Sequence, residues 1–223
     1  MKKILISTFL VSAFLVTGCN KAQSKKPVYT VTEEQYNQLC YTKSYIPNMM
    51  SLNFTVTYKE TLNDSTVQYV TKFDNGKIFA THGEEYGDFY VSYKEGTYNA
   101  EERTWSFDYY YEDDGSWKIS TIFNESMPDD VYLPDVGWIV SYEEVGFYEN
   151  TNYYQQIPED KVMNGSYHYR EAKVQFKDGK ITYASWKYKS NSAPDKVYLV
   201  AIEVKDYGKT VVNLPQNAEI TKA

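Results

Sequence analysis

Histidine and cysteine are nearly missing from this chain, with two of each in 223 residues. His82 and His168 lie far apart, and neither has a partner at metal-ligand spacing or a candidate nucleophile nearby. Zinc sites and Ser-His-Asp chemistry therefore have no constellation to work with. Cys19 and Cys40 are too few for a disulfide framework, so the core must supply the stability. Glycine-rich phosphate loops and the alternating-oxygen pattern of a calcium loop are also missing. Cationic charge is short as well: 23 Lys and Arg face 30 Asp and Glu, a net charge of −7. With no basic stripe to offset it, nucleic acid is disfavoured as a partner. The one long apolar run, Ile4 to Val16, falls short of the roughly 20 residues that a membrane-spanning helix needs.

That run has a context of its own. Met1-Lys2-Lys3 precedes it and Val16-Thr17-Gly18-Cys19 follows, so a cationic start, an apolar centre and a small-residue exit succeed one another. The exit resembles the lipobox of bacterial lipoproteins. The resemblance implies diacylglycerol on the Cys19 sulfur, cleavage after Gly18, and an anchor of two or more acyl chains that holds the chain stably outside the cytoplasm. The expected division is a signal peptide over 1–18, a lipidated cysteine and flexible tether over 19–28, and a single antiparallel β domain over 29–223. Three lysines between Asn20 and Pro27 would lie near anionic headgroups.

Beyond the tether, the pattern is that of strands. Leu52, Phe54, Val56 and Tyr58 alternate with polar residues, the mark of a half-buried strand. An Asn75-Gly76 loop pairs Phe73 with Ile78, Thr71 with Ala80 and Tyr69 with His82, so turn and pattern agree on register. Asp178-Gly179 does the same for Phe176 with Ile181 and Val174 with Tyr183. Between Trp105 and Phe123 the phases differ. Placing Trp105, Phe107, Tyr109, Trp117 and Ile119 on one face requires a three-residue loop, Asp113-Asp114-Gly115, with Tyr111 opposite Trp117 and Gly115 left-handed in a bulge. Further strands are expected at Phe89–Tyr93, Tyr198–Val204 and Val211–Leu214, with a bulge near Ala184-Ser185. Thr32-Glu33-Glu34-Gln35 opens a short helix to about Tyr41, with Cys40 in its apolar stripe. Ser141–Glu144 can open a second. The proline-bearing stretch Asn124–Asn164 reads as irregular.

The expected fold class is mainly β: a large curved antiparallel sheet of about ten strands, covered by one or two short helices. Its layout resembles the LolA/LppX-like envelope lipoproteins and lipid carriers. The resemblance rests on the lipobox, the early helix before a long meander, Phe176-Lys177-Asp178-Gly179-Lys180-Ile181, and Asp206-Tyr207-Gly208-Lys209 ahead of Leu214-Pro215. It implies an incomplete barrel enclosing an apolar cavity that takes lipids or acyl chains. It transfers no ligand contact to any position of this chain.

Tyrosine is the surplus, with 24 against 10 Phe and 4 Trp. Tyr suits half-buried sheet surfaces, and it also suits sugar-binding and protein-binding surfaces, so the count leaves both open. Acidic pairs such as Glu84-Glu85, Glu112-Asp113-Asp114 and Glu143-Glu144 fit solvated turns. Glycoside hydrolysis would need two carboxylates facing each other, which spacing alone does not give. The expected function is non-catalytic, with no cofactor or metal: a membrane-anchored lipoprotein that binds a hydrophobic ligand such as a lipid. The ligand is placed against Trp105, Phe107, Tyr109, Trp117 and Ile119. The alternative is a surface module that binds glycan or protein through exposed tyrosines, and an envelope protein without a small ligand follows close behind.

Overall fold

The computed structural model describes residues 28–29, 48–81, 87–128, 131–134, 147–148, 153–156, 161–163, 167–178 and 180–221. Among these residues fourteen strands are formed: β1 (Val28–Tyr29), β2 (Asn53–Leu62), β3 (Ser65–Asp74), β4 (Lys77–Thr81), β5 (Asp88–Tyr93), β6 (Trp105–Asp113) and β7 (Ser116–Glu125), then β8 (Phe147–Tyr148), β9 (Tyr153–Gln156), β10 (Lys161–Met163), β11 (Tyr167–Lys177), β12 (Lys180–Ser190), β13 (Ala193–Lys205) and β14 (Glu219–Ile220). Twelve belong to one sheet, whose path runs β10-β11-β12-β13-β2-β3-β4-β5-β6-β7-β14 with β9 also on β11. β1 and β8 pair separately. The path ends at β10 and β14, so the sheet is open rather than closed. It is also mixed, because β14 runs parallel to β7 where only antiparallel pairing was expected.

Alternation explains the long strands. In β2, Phe54 and Val56 are buried on the face shared with Phe73 and Thr71 of β3 and with Val204 and Ile202 of β13. The same face carries Ile78 and Ala80, then Phe89, Val91 and Tyr93, then Trp105 and Phe107. This packed face is one continuous core, joined by Met49 from the 3-10 turn Met49–Ser51 and by Val131. That turn is the helical piece found among the described residues. The expected helix over Glu33–Tyr41, with Cys40, and the one opening at Ser141–Glu144 lie outside them.

The two-residue hairpin at Asn75-Gly76 is found as expected, with Phe73 opposite Ile78 and Thr71 opposite Ala80. Both loop residues are left-handed, at φ 48° and 88°, as a type I′ turn requires. The pairing of Tyr69 with His82 falls outside the described residues. At the third hairpin the structure corrects the sequence reading. The loop is the two-residue Asp114-Gly115, with Asp113 opposite Ser116 and Tyr111 opposite Lys118. Gly115 is left-handed at φ 74°, as expected, but so is Asp114 at φ 49°, which makes a type I′ turn and no bulge. The irregularity lies instead at the far end of β7, between Trp105–Glu125 and Phe107–Ile122, where Asn124 is left-handed.

Other corrections follow from bulges. Phe176 does face Ile181, but an extra residue at Thr182 sets Val174 opposite Ala184 rather than Tyr183. A second shift lies between Arg170 and Lys173, beside the left-handed Glu171, so the expected break at Ala184-Ser185 is absent. Ala184, Ser185 and Trp186 are regularly paired with β13. Val211–Leu214 forms no strand. Backbone N–H groups there turn to side chains: Val212 donates to Asp74 Oδ2 at 3.0 Å, and Thr210 donates to Asn53 Oδ1 at 2.9 Å. Part of Asn124–Asn164, expected to be irregular, supplies the short strands β8, β9 and β10.

Gly76 and Gly115 share left-handed backbone but differ in their surroundings. A Cβ on Gly76 would lie 2.5 Å from Met50 Sδ, whereas one on Gly115 would meet nothing within 4 Å. Gly115→Ala should cost about 1 kcal/mol from backbone strain. Gly76→Ala should cost somewhat more, by up to about 1 kcal/mol, because the flexible thioether end of Met50 must shift from its place against the core. Urea denaturation of the two variants checks this, and equal midpoints would show that Met50 yields freely.

Candidate functional site

The alternation of β2 does not stop at Tyr58. Glu60 and Leu62 continue on the packed face, so an acid stands where the period demands an apolar residue. Its cross-strand neighbours are Val67 on β3 and Val200 on β13. Two phenols satisfy it. Tyr58 and Tyr188 each donate to Glu60 Oε2, at 3.2 and 3.1 Å. Charge-assisted bonds of this kind fix a carboxylate's orientation as well as its energy.

A tyrosine cluster builds outward from that pair. Tyr188 stacks on Tyr198 at 4.8 Å with the rings 10° apart. Tyr132 stacks on Tyr58 at 4.8 Å and on Tyr69 at 5.2 Å. Tyr167 and Tyr169 approach Tyr188 at 5.9 Å. The cluster stands on β2, β3, β11, β12, β13 and the segment carrying Tyr132. It opens toward the β2–β3 hairpin into a cleft of about 490 Å3, lined by Glu60, Leu62, Asn63, Asp64, Ser65, Val67 and Tyr198. That size lies within the roughly 300–1,000 Å3 of small-molecule sites. The cleft sets an aromatic ring and two aliphatic side chains beside two carboxylates, and among the described residues no lysine or arginine lines it.

Burial and then the Glu60 charge push the Tyr58 and Tyr188 hydroxyls far above the ordinary value of 10.0. Burial alone does the same to Tyr93, whose hydroxyl has no partner among the described residues.

The five residues placed together by the sequence reading do not share a surface. Trp105 and Phe107 are core, 8% and 3% exposed, packed edge-on and tilted against Tyr93. Tyr109 is half-buried beside Phe89. Trp117 and Ile119 lie on the opposite face, because the Asp114-Gly115 register pairs Ile119 with Tyr110 and Trp117 with Glu112. There Trp117 meets the edge of Tyr90, which in turn contacts Phe79. Cys19 and His82 lie outside the described residues. His168, paired with Val162 on β10 and Lys189 on β12, hydrogen-bonds Asn191 in the β12–β13 turn at 2.7 Å. Sequence reasoning missed Glu60 and Tyr198, although the parity of Phe54, Val56, Tyr58 and Glu60 was the available signal.

No protein-family profile, curated protein or solved structure matches the chain. Among the described residues no group of His, Cys, Asp or Glu could hold a metal ion, and no helix is long and apolar enough to cross a membrane.

Because the folded state holds the protons of Tyr58, Tyr188 and Tyr93 more tightly than the unfolded chain, their contribution is complete below pH 10.0 and is lost as pH rises beyond it. Ultraviolet phenolate titration of the native protein should leave a fraction of the tyrosines unionised until the fold gives way. Stability measured by urea should decline steadily above that pH. A titration in which every tyrosine ionises near its ordinary value with the fold intact would contradict this account.

Proposed function

We propose that the chain is a lipid-anchored extracytoplasmic lipoprotein, non-catalytic, whose β domain binds a glycan in the Glu60–Tyr198 cleft. The anchor rests on Met1-Lys2-Lys3, the apolar run Ile4 to Val16 and the lipobox-like Val16-Thr17-Gly18-Cys19. Changing Cys19→Ser should abolish labelling by a palmitate analogue and release the protein from membranes. A mutant that still labels would sink the anchor.

One observation carries the glycan reading: the cleft sets the Tyr198 ring beside a carboxylate already oriented by two phenols. A sugar ring offers the matching pair of surfaces. Its C–H face lies against an aromatic ring, while its hydroxyls donate to a carboxylate. The preorganised acceptor lowers the ordering cost of binding. Isothermal titration against a panel of oligosaccharides should find a binder, and Tyr198→Ala should weaken it by about tenfold, the factor that ~1.4 kcal/mol of lost ring contact gives. Wild-type affinity in Tyr198→Ala would remove the cleft from consideration.

The competing reading is a hydrophobic ligand held in a LolA/LppX-like incomplete barrel. Leu62 and Val67 on the cleft wall, the latter 47% exposed, are the observation on its side. A lipid retained in native mass spectrometry, and displaced by Val67→Asp, would put that reading ahead.

A further inference from the structure

We infer that the glycan taken by this cleft carries free, protonated amino groups. The inference rests on the reading of the cleft as a glycan site and adds the charge of the ligand. Among the described residues seven line the cleft, of which two are acids and none is basic. Glu60 uses Oε2 for both phenols, and among the described residues Oε1 accepts no hydrogen bond. Asp64 is exposed in the Asn63-Asp64 loop between β2 and β3, and no ion pair among the described residues involves it or Glu60.

A neutral sugar settling here would strip water from two anions and return only hydroxyl donors. Carboxylates lose much of their hydration on burial, and an opposite charge at contact distance offsets that loss where a hydroxyl does not. An ammonium group on the sugar supplies the charge, and its three donors suit the open oxygen of Glu60. The same group is attracted to the ring face of Tyr198, with a tyrosine quadrupole adding to the carboxylates. The chain's net charge of −7 favours approach of a polycation over that of a polyanion. The ligand class is therefore an oligosaccharide of unacetylated amino sugars.

The test uses the detergent-solubilised full chain and three tetrasaccharides of one linkage: glucosamine, N-acetylglucosamine and glucose. Titration calorimetry in mildly acidic, low-salt buffer should show the glucosamine tetramer binding roughly tenfold more tightly than either neutral one. The margin should shrink as salt is added. Glu60→Gln, with its melting curve checked, should abolish the difference between the tetramers, and Asp64→Asn should reduce it. Equal affinity for all three tetramers would overturn the inference and leave the glycan reading standing. No binding of any tetramer would bring down the glycan reading itself. A preference that survives both substitutions would place the amine elsewhere and overturn the inference. Spermidine, offered as a sugar-free amine, should bind much more weakly than the glucosamine tetramer. Equal binding would make the cleft a general cation site and also overturn the inference.

Discussion

The pairing of β2 with β13 is the contact on which the rest of the sheet depends. It runs from Leu62 opposite Tyr198 to Thr55 opposite Lys205. On one side of it stand β3 to β7, each paired with its sequence neighbour. On the other stand β12 and β11, also hairpin-linked, with β9 and β10 on β11. Both halves could form from local contacts, yet each would end in an exposed edge. Joining them closes a loop comprising most of the chain. The entropic cost of that closure grows only logarithmically, about 0.6 kcal/mol for each doubling of length, so a well-packed seam can bear it. The seam qualifies: Val56, Val200, Ile202 and Val204 are all buried there. Thr210 clamps its end, its hydroxyl 3.1 Å from that of Thr55 and its carbonyl accepting from Asn53 Nδ2 at 3.0 Å.

The candidate cleft is a product of the same seam. Glu60 belongs to β2, Tyr198 to β13 and Tyr188 to β12, so none of the three meets another within a single hairpin of the first half. This is why the site was hard to read from sequence. Parity within β2 does place Glu60 on the packed face, but parity names no partner strand. Without the hydrogen bond from Tyr188, two strands away, Glu60 reads as one more acid among 30 Asp and Glu.

Hairpin geometry was legible where the loop chemistry and the apolar pattern agreed, as at Asn75-Gly76. At Asp114-Gly115 they disagreed, and the loop chemistry was the better guide. Asp-Gly is a strong two-residue turn signal, and an assumption that all large apolar residues must share one face overrode it. β7 does the reverse. It gives Ile122 to the packed face, along with Ser120 and Lys118, and turns Trp117 and Ile119 outward. The bulges at Thr182 and Glu171-Ala172 were displaced from their expected place for a related reason. An apolar run such as Ala184-Ser185-Trp186 loses its period when both faces are covered, and burial of all three removes the phase signal that locates a slip.

Among the described residues the aromatics divide into two populations that composition cannot separate. On the outer face, Phe79 and Trp117 each contact Tyr90, and the Lys72 ammonium lies 5.3 Å from the Phe79 ring centroid. That is the side-chain ladder expected wherever strands pair. On the packed face, Tyr58 and Tyr188 bring hydroxyls as well as rings, and both hydroxyls meet on one carboxylate oxygen. Phenylalanine at those positions would fill the same space and leave Glu60 without donors in a half-buried setting, which is costly for an anion. The phenols therefore allow a charge to persist at the margin of an apolar core. A charge held there, with one oxygen committed to two phenols and its side chain lining a cleft, is an acceptor prepared in advance of its ligand.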